Sequence, residues 1–230
     1  MDKKHVGSLF DSIASTYDRF NHLLSLNIDK RWRRRAVRQL RPADHLLDVA
    51  VGTADLAIEV IRQNKASRVT GIDISTGMMD IGAQKISQAG MSQSITLLEA
   101  SALEMPFADS TFSAVTCAYG VRNFSNLDQG LAEMFRVMKP GGQLIILEFS
   151  YPQNVIIRWC YNLFFTHLMP LVGKAVSRNS GAYLYFRQSV KNFIWGEAMA
   201  QRLAAAGFAQ VSYRPMTLGI TTLYMAQKGE

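Results

Sequence analysis

An α/β fold, with a mostly parallel sheet covered by helices on both faces, is what this sequence predicts. Three observations lead there. Short apolar segments rich in β-branched and aromatic residues recur along the chain. The stretches between them carry apolar residues at helical spacing. Strands joined through helices run parallel, because a right-handed crossover through a helix brings the chain back in the same direction.

The elements follow in order. Residues 1–42 read as a helical lid before the core. "HLLDVA" (45–50) is the first strand, followed by a helix over 54–64, "RVTGID" (68–73), a helix over 76–89, and "SITLLE" (94–99). "FSAVTCA" (112–118) and "GQLIILEF" (142–149) continue the sheet, with a helix over 126–138 between them that Gly141 and Gly142 stop. Residues 151–195 break the alternation and form an insertion on the substrate side of a 43–150 core. Residues 196–230 close the domain with the helix "EAMAQRLAAAGF" and a strand pair, "AQVSYRP" and "ITTLYMAQ". That makes seven strands in one domain.

Composition narrows the class. At 230 residues, with 48% hydrophobic and 19% charged side chains, the chain is long enough to bury a full core. Its two cysteines, Cys117 and Cys160, make neither a metal cluster nor a disulfide framework, so no metal is expected and a reducing, cytoplasmic setting is. The N-terminus has no long apolar stretch to serve as a signal peptide. No uninterrupted apolar run reaches the roughly 18 residues of a membrane span. The net charge of +7 is partly local: "DKRWRRRAVRQLRP" (29–42) concentrates Lys30, Arg31, Arg33, Arg34, Arg35, Arg38 and Arg41. So many like charges repel one another unless an anionic surface lies near. A solvated helix face, peripheral contact with an anionic membrane at its inner face, and nucleic acid are the three readings. Nucleic acid ranks last, because no recognised binding motif accompanies the patch.

The loop "DVAVGTAD" (48–55) joins the first strand to the first core helix, where open α/β sheets bind nucleotides. Asp73 ends the second strand, placed for a carboxylate that grips ribose hydroxyls. Asp48, just before the loop, would repel a pyrophosphate but not a phosphate-free, cationic cofactor such as S-adenosyl-L-methionine. A structural turn without a ligand is the alternative.

Five further stretches carry a resemblance. "YDRFNHLLSLNIDKRW" (17–32), "AYGVRNF" (118–124) and "RVMKPGGQLIILEFS" (136–150) resemble the UbiE/MenG family of quinone C-methyltransferases, as do "YLYFRQSVKNF" (183–193) and "MTLGI" (216–220). The resemblance covers essentially the whole chain. It implies a Rossmann-like, seven-stranded class I fold dependent on S-adenosyl-L-methionine. It also implies methylation of demethylmenaquinol to menaquinol, or of a ubiquinone precursor or other prenylated phenol. An RNA methyltransferase and a non-catalytic cofactor sensor stand outside that class. The family's loop reads roughly Asp-x-Ala-Gly-Gly-Thr-Gly-Asp, so Val51 and Ala54 replace glycines here. The resulting expectation is that Gly52 supplies the unusual dihedral, Val51 narrows the pocket and Ala54 simply opens the helix. Ser101 stands where the family has Asn or Asp near the adenine, Asp29 where it has a histidine, and Tyr224 at another histidine position.

Cofactor contacts are expected from Asp48, Gly52, Thr53, Asp73, Ser101, Ala102 and Tyr119, the last as a cation–π partner of the sulfonium. Ring methylation needs an ionised quinol hydroxyl, whose ordinary pKa is about 10, so the site must stabilise the phenolate. Arg122 is the expected stabiliser, with a helix cap or salt bridge as its structural alternative. Asn123 would orient Arg122 or a water, and Tyr17, with Asp18, would relay the proton. Gly120 would leave room for the flat ring. His22 and His167 read as structural. The insertion "NVIIRWCYNLFFTHLMPLVGKAV" (154–176) is a greasy stretch broken by Arg158, His167, Pro170 and Lys174, suited to covering a prenyl tail or resting on a membrane.

Overall fold

The computed structural model describes residues 27–164 and 180–230, together with Gly7, Asp11, Ala14, Ser25 and Thr166. In chain order the elements are α1 (Ile28–Arg38), β1 (Ala43–Val49), α2 (Asp55–Arg62), β2 (Ala66–Asp73), α3 (Thr76–Gln88), β3 (Ile95–Glu99) and β4 (Phe112–Ala118). A 3₁₀ turn (Val121–Asn123), α4 (Leu127–Val137), β5 (Met138–Phe149), α5 (Val155–Leu163), α6 (Ser180–Asn192), α7 (Glu197–Ala205), β6 (Phe208–Met216) and β7 (Thr221–Lys228) complete it. The seven strands run β3-β2-β1-β4-β5-β7-β6, all parallel except β7, which is antiparallel to both neighbours.

The alternation of side chains along each strand builds two cores. Leu46 enters one, with Trp32 and Val37 of α1 and Leu56 and Val60 of α2. Leu47 and Val49 enter the other, with Leu131 and Met134 of α4 and Met199 and Leu203 of α7. Burial on both faces explains why these strands read as apolar runs rather than alternating ones. Each fully buried aliphatic or aromatic side chain contributes about 1.5–3 kcal/mol.

Side-chain caps set several helix starts. Ser75 accepts the Met78 N–H at 3.2 Å and Asn126 the Gln129 N–H at 3.2 Å. The glycines after "RVMKP" do not stop α4 as expected. The helix ends at Val137 and β5 begins at Met138, ahead of Gly141 and Gly142. Pro140 supplies the reason: it has no N–H to continue a helix and biases its predecessor toward extended backbone. Pairing with β4 then slips between Phe112↔Met138 and Ala114↔Gln143, absorbing the extra residues.

Candidate active site

The cleft lies at the carboxyl edge of the sheet, where strand order reverses between β1 and β4, the usual ligand position in open α/β sheets. Ala50 and Gly52 line it from the loop after β1, Asp73, Ile74 and Met78 from the end of β2 and the start of α3, Ser101 and Ala102 from the loop after β3, and Tyr119, Gly120 and Asn123 from the loop after β4.

The first loop is more contorted than the sequence suggested. Gly52 is left-handed (φ 52°), as expected, but so are Ala50 (φ 56°) and Ala54 (φ 63°). Ala54 therefore does not simply open α2; it is its left-handed N-cap, at a conformation that disfavours a side chain. Val51 does not narrow the pocket either. Its side chain turns into the core, where a Cβ on Gly71 would meet Val51 Cγ2 at 2.7 Å.

Asp73 ties two loops together. Its Oδ2 accepts the Gly52 N–H at 2.8 Å and its Oδ1 the Ser75 N–H at 3.0 Å. Burial pushes its pKa up, while those N–H groups pull it back. Ser101 lines the cleft, with its Oγ accepting the Leu103 N–H at 3.2 Å, and Ala102 lies beside it.

Asp48 and Thr53 lie beneath the loop rather than in the cleft wall. Asp48 is buried, with Oδ1 accepting from Thr116 Oγ1 at 2.7 Å and Oδ2 left without a hydrogen-bond partner among the described residues. Desolvation pushes its pKa up to about 7, and the Arg33 charge works against that rise. Thr53 is buried and its Oγ1 accepts from Lys85 Nζ at 3.2 Å; Lys85 also pairs with Asp55.

Arg33 departs from the solvated or membrane-facing role of its helix. Its guanidinium turns inward, 2.5 Å from Asp29 and 3.4 Å from Asp55, because α1 presents Trp32, Arg33, Ala36 and Val37 to the core. It also lies 5.6 Å over the Tyr119 ring. The cation that Tyr119 meets is therefore Arg33, and its ring is further committed by stacking on Phe149 at 4.4 Å. Tyr119 reaches the cleft edge with a left-handed backbone (φ 61°). Gly120 makes room for protein, not for a substrate ring: a Cβ there would meet Ala50 Cβ at 2.5 Å and Cys117 Sγ at 2.8 Å.

Arg122 is embedded, with its side chain 4% exposed. Nη1 donates to Glu148 Oε1 at 2.8 Å and to the Tyr119 carbonyl. The guanidinium carbon lies 5.4 Å from both the Phe149 and Phe186 rings. Arg122 does not line the cleft but a neighbouring cavity against α6, which shares Asn123, Phe124 and Ser125 with it. Asn123 joins the two spaces: its Nδ2 donates to the Tyr119 carbonyl at 3.4 Å, and its Oδ1 accepts from Tyr185 Oη at 2.9 Å. Tyr17, Asp18, His22 and His167 lie outside the described residues. Asp29 is buried against Arg33 and Ser25, and Tyr224 is buried with its Oη accepting the Gly196 N–H at 2.8 Å, so both are structural supports.

Sequence reasoning missed Glu148. An acid inside "LIILEF" was the available signal, since a buried charge demands a partner.

The chain is similar to known proteins along nearly its whole length. The ubiE/COQ5 methyltransferase family matches residues 1–228. A demethylmenaquinone methyltransferase of Bacteroides fragilis is 41% identical over 227 residues, covering 98% of this chain and 93% of its own. One of Deinococcus radiodurans is 42% identical over 226 residues, covering 97% and 92%. The ubiquinone/menaquinone biosynthesis C-methyltransferase UbiE of Geobacter sulfurreducens is 40% identical over 229 residues, covering 98% and 89%. Among solved structures, a possible histamine N-methyltransferase of Thermotoga maritima shares the fold at TM-score 0.65 and 17% identity, covering 96% of this chain and 99% of its own. A putative methyltransferase solved with the Haloferax volcanii Trm112 activator shares it at TM-score 0.68 and 14% identity, covering 96% and 98%. With its sequence matched along nearly the whole length, the chain belongs to the ubiE/COQ5 methyltransferase family.

Proposed function

We propose that this chain methylates a ring carbon of a prenylated quinol with S-adenosyl-L-methionine, and that the reaction is demethylmenaquinol to menaquinol. The observation that carries the cofactor is the charge of the cleft. Among the described residues that line it, Asp73 alone is charged, and no cation faces in to meet a phosphate. A phosphate-free cofactor with ribose hydroxyls fits that lining, with the Asp73 carboxylate as acceptor. Asp73 would hold the ribose, Ser101 and Ala102 the adenine edge, and the Gly52 loop the remainder, with Asp48 and Thr53 supporting from below. When bound, the cofactor supplies an electrophilic methyl group.

The protein's task is then to make the acceptor ring nucleophilic. The neighbouring cavity, bounded by Arg122, Asn123 and Tyr185, takes the ring. Arg122 stabilises the phenolate by a directed N–H, Asn123 orients it, and Tyr17 relays the proton. The demethylmenaquinone methyltransferases at about 40% identity support this acceptor, and the UbiE relative at the same identity keeps a ubiquinone precursor as the alternative.

Peripheral contact with an anionic membrane belongs to the same proposal, since a prenylated acceptor resides there. No helix of the described residues is long and apolar enough to cross a membrane. Helix α5, however, exposes Ile156 (73%), Trp159 (64%) and Leu163 on one side, with Leu218 exposed as well. Lys30, Arg31, Arg34, Arg35 and Arg38 of α1 are also exposed. Exposed apolar anchors and exposed cations are the two features that interfacial binding uses.

Steady-state kinetics on Arg122→Ala and Arg122→Lys test the mechanism. Turnover should fall about 10²–10³-fold in the alanine variant. Raising the pH should restore part of it, as more quinol ionises unaided. Lysine keeps the charge without the planar fork and should also lose activity. Full turnover in Arg122→Ala would remove Arg122 from the chemistry. Lipids accumulated by a deletion strain would name the acceptor.

A further inference from the structure

Glu148, one residue before the end of β5, is completely buried, and both of its carboxylate oxygens accept hydrogen bonds. Oε1 accepts from Arg122 Nη1 at 2.8 Å and from the Phe149 N–H at 2.8 Å, and Oε2 accepts the Arg122 backbone N–H at 3.2 Å. Across the sheet it pairs with Thr222, and Thr221 Oγ1 donates to its backbone carbonyl at 2.8 Å. A buried ion pair is a poor way to stabilise a sheet edge, because well-packed apolar residues of similar volume do as well or better. The pair also sits where two functional features meet. Arg122 Nη1 reaches onward to the Tyr119 carbonyl, so Glu148, Arg122 and the left-handed Tyr119 backbone form one hydrogen-bonded chain from β5 to the cleft edge.

We propose that Glu148 is a positioning residue for methyl transfer: it fixes the direction of the Arg122 guanidinium and offsets its charge, and so sets how strongly the site acidifies the acceptor hydroxyl. This rests on the reading that Arg122 faces the acceptor ring. Titratable groups surround the pair from every side: Cys117 of β4, Tyr119 of the following loop, Tyr185 of α6 and Tyr224 of β7. Burial raises all four above their ordinary values, Tyr224 to about 12, so they remain protonated and neutral at working pH. The Glu148 charge is accordingly the one whose removal the ring would feel through Arg122.

Glu148→Gln removes the charge and keeps one acceptor oxygen, but its NH₂ must face a backbone N–H. Turnover should fall by roughly 10- to 100-fold, the range seen for outer-shell partners of metal ligands. The apparent pKa governing the pH–kcat profile should move down by about one unit, because an uncompensated guanidinium stabilises phenolate more strongly. Glu148→Asp keeps the charge but shortens the reach, so it should lose turnover with the profile in place. S-adenosyl-L-methionine affinity by calorimetry and the thermal midpoint report whether each variant folds. If the Glu148→Gln profile coincides with the parent's, or its activity loss merely tracks the fall in thermal midpoint, Glu148 is a structural residue. If Arg122→Ala retains full turnover, the underlying reading of Arg122 fails instead, whatever Glu148 does.

Discussion

Val51 and Gly71 fill one volume between them: a Cβ on residue 71 would lie 2.7 Å from Val51 Cγ2 and 3.0 Å from Val51 Cβ. Restoring glycine at 51 therefore opens a cavity over β2 and should cost about 2–4 kcal/mol. Gly71→Ala should overpack the same space at about 1–3 kcal/mol. Chemical denaturation of the two single variants and the double should show the costs coupled, with the double less destabilised than their sum. Strict additivity would mean the two positions do not share the space.

Ala54 is the contrasting glycine position. Its left-handed backbone strains an alanine by about 1–2 kcal/mol, whereas glycine would forfeit a buried methyl worth about 0.8 kcal/mol. Ala54→Gly should accordingly leave stability unchanged or raise it by up to about 1 kcal/mol. That corresponds to a thermal midpoint higher by at most about 2–4 °C in a domain of this size. A clear fall in the midpoint would contradict the strain assigned to this N-cap.

Asp73→Ala should weaken S-adenosyl-L-methionine sharply, since the ribose loses a charged acceptor and the Gly52 and Ser75 N–H groups lose theirs. Each charge-assisted bond is worth roughly 1.5–3 kcal/mol, so calorimetry should register at least about a 10-fold rise in Kd. An unchanged Kd would displace the ribose from Asp73.

Asp48 makes stability depend on pH. Its folded pKa, about 7, stands above the ordinary 3.8, so between those values the folded state holds more protons than the unfolded one. Stability contributed by protonated Asp48 is thus full below about pH 4 and is lost as pH rises toward 7, levelling beyond it. Denaturation of the cofactor-free protein at pH 5, 6, 7 and 8 should show that decline, and Asp48→Asn should flatten it. Parallel curves for parent and variant would mean Asp48 does not titrate in this window.

Vesicle flotation addresses the membrane reading. Surface attraction is worth about 1 kcal/mol per basic residue and is screened by salt. Changing Arg34, Arg35 and Arg38 to Ser, or Trp159 to Ser, should each reduce recovery on anionic vesicles, and added salt should reduce the parent's. Arg33 is left out, being committed to Asp29 and Asp55. Equal recovery on neutral and anionic vesicles would defeat the electrostatic part.

Periodicity and local chemistry were enough, in the sequence alone, for the architecture. Strands buried on both faces read as apolar runs, helices show their spacing, and the closing pair β6 and β7 appears as two short segments. The positions of Gly52, Asp73, Ser101 and Ala102 in the cleft follow from that order, because loops after parallel strands gather at one edge of the sheet. Which side chains face that edge was decided only by the tertiary structure. Arg33 belongs by sequence to a basic stripe, yet α1 buries it, and its charge is answered by Asp29 and by Asp55 of another helix. For Arg122 the sequence allows a phenolate stabiliser or a salt bridge, and it is β5 that brings Glu148 within 2.8 Å of it, although the two are far apart along the chain. A charge's partner is set by packing between distant segments and a left-handed dihedral by its loop's closure, and neither leaves a periodic trace in the residues themselves.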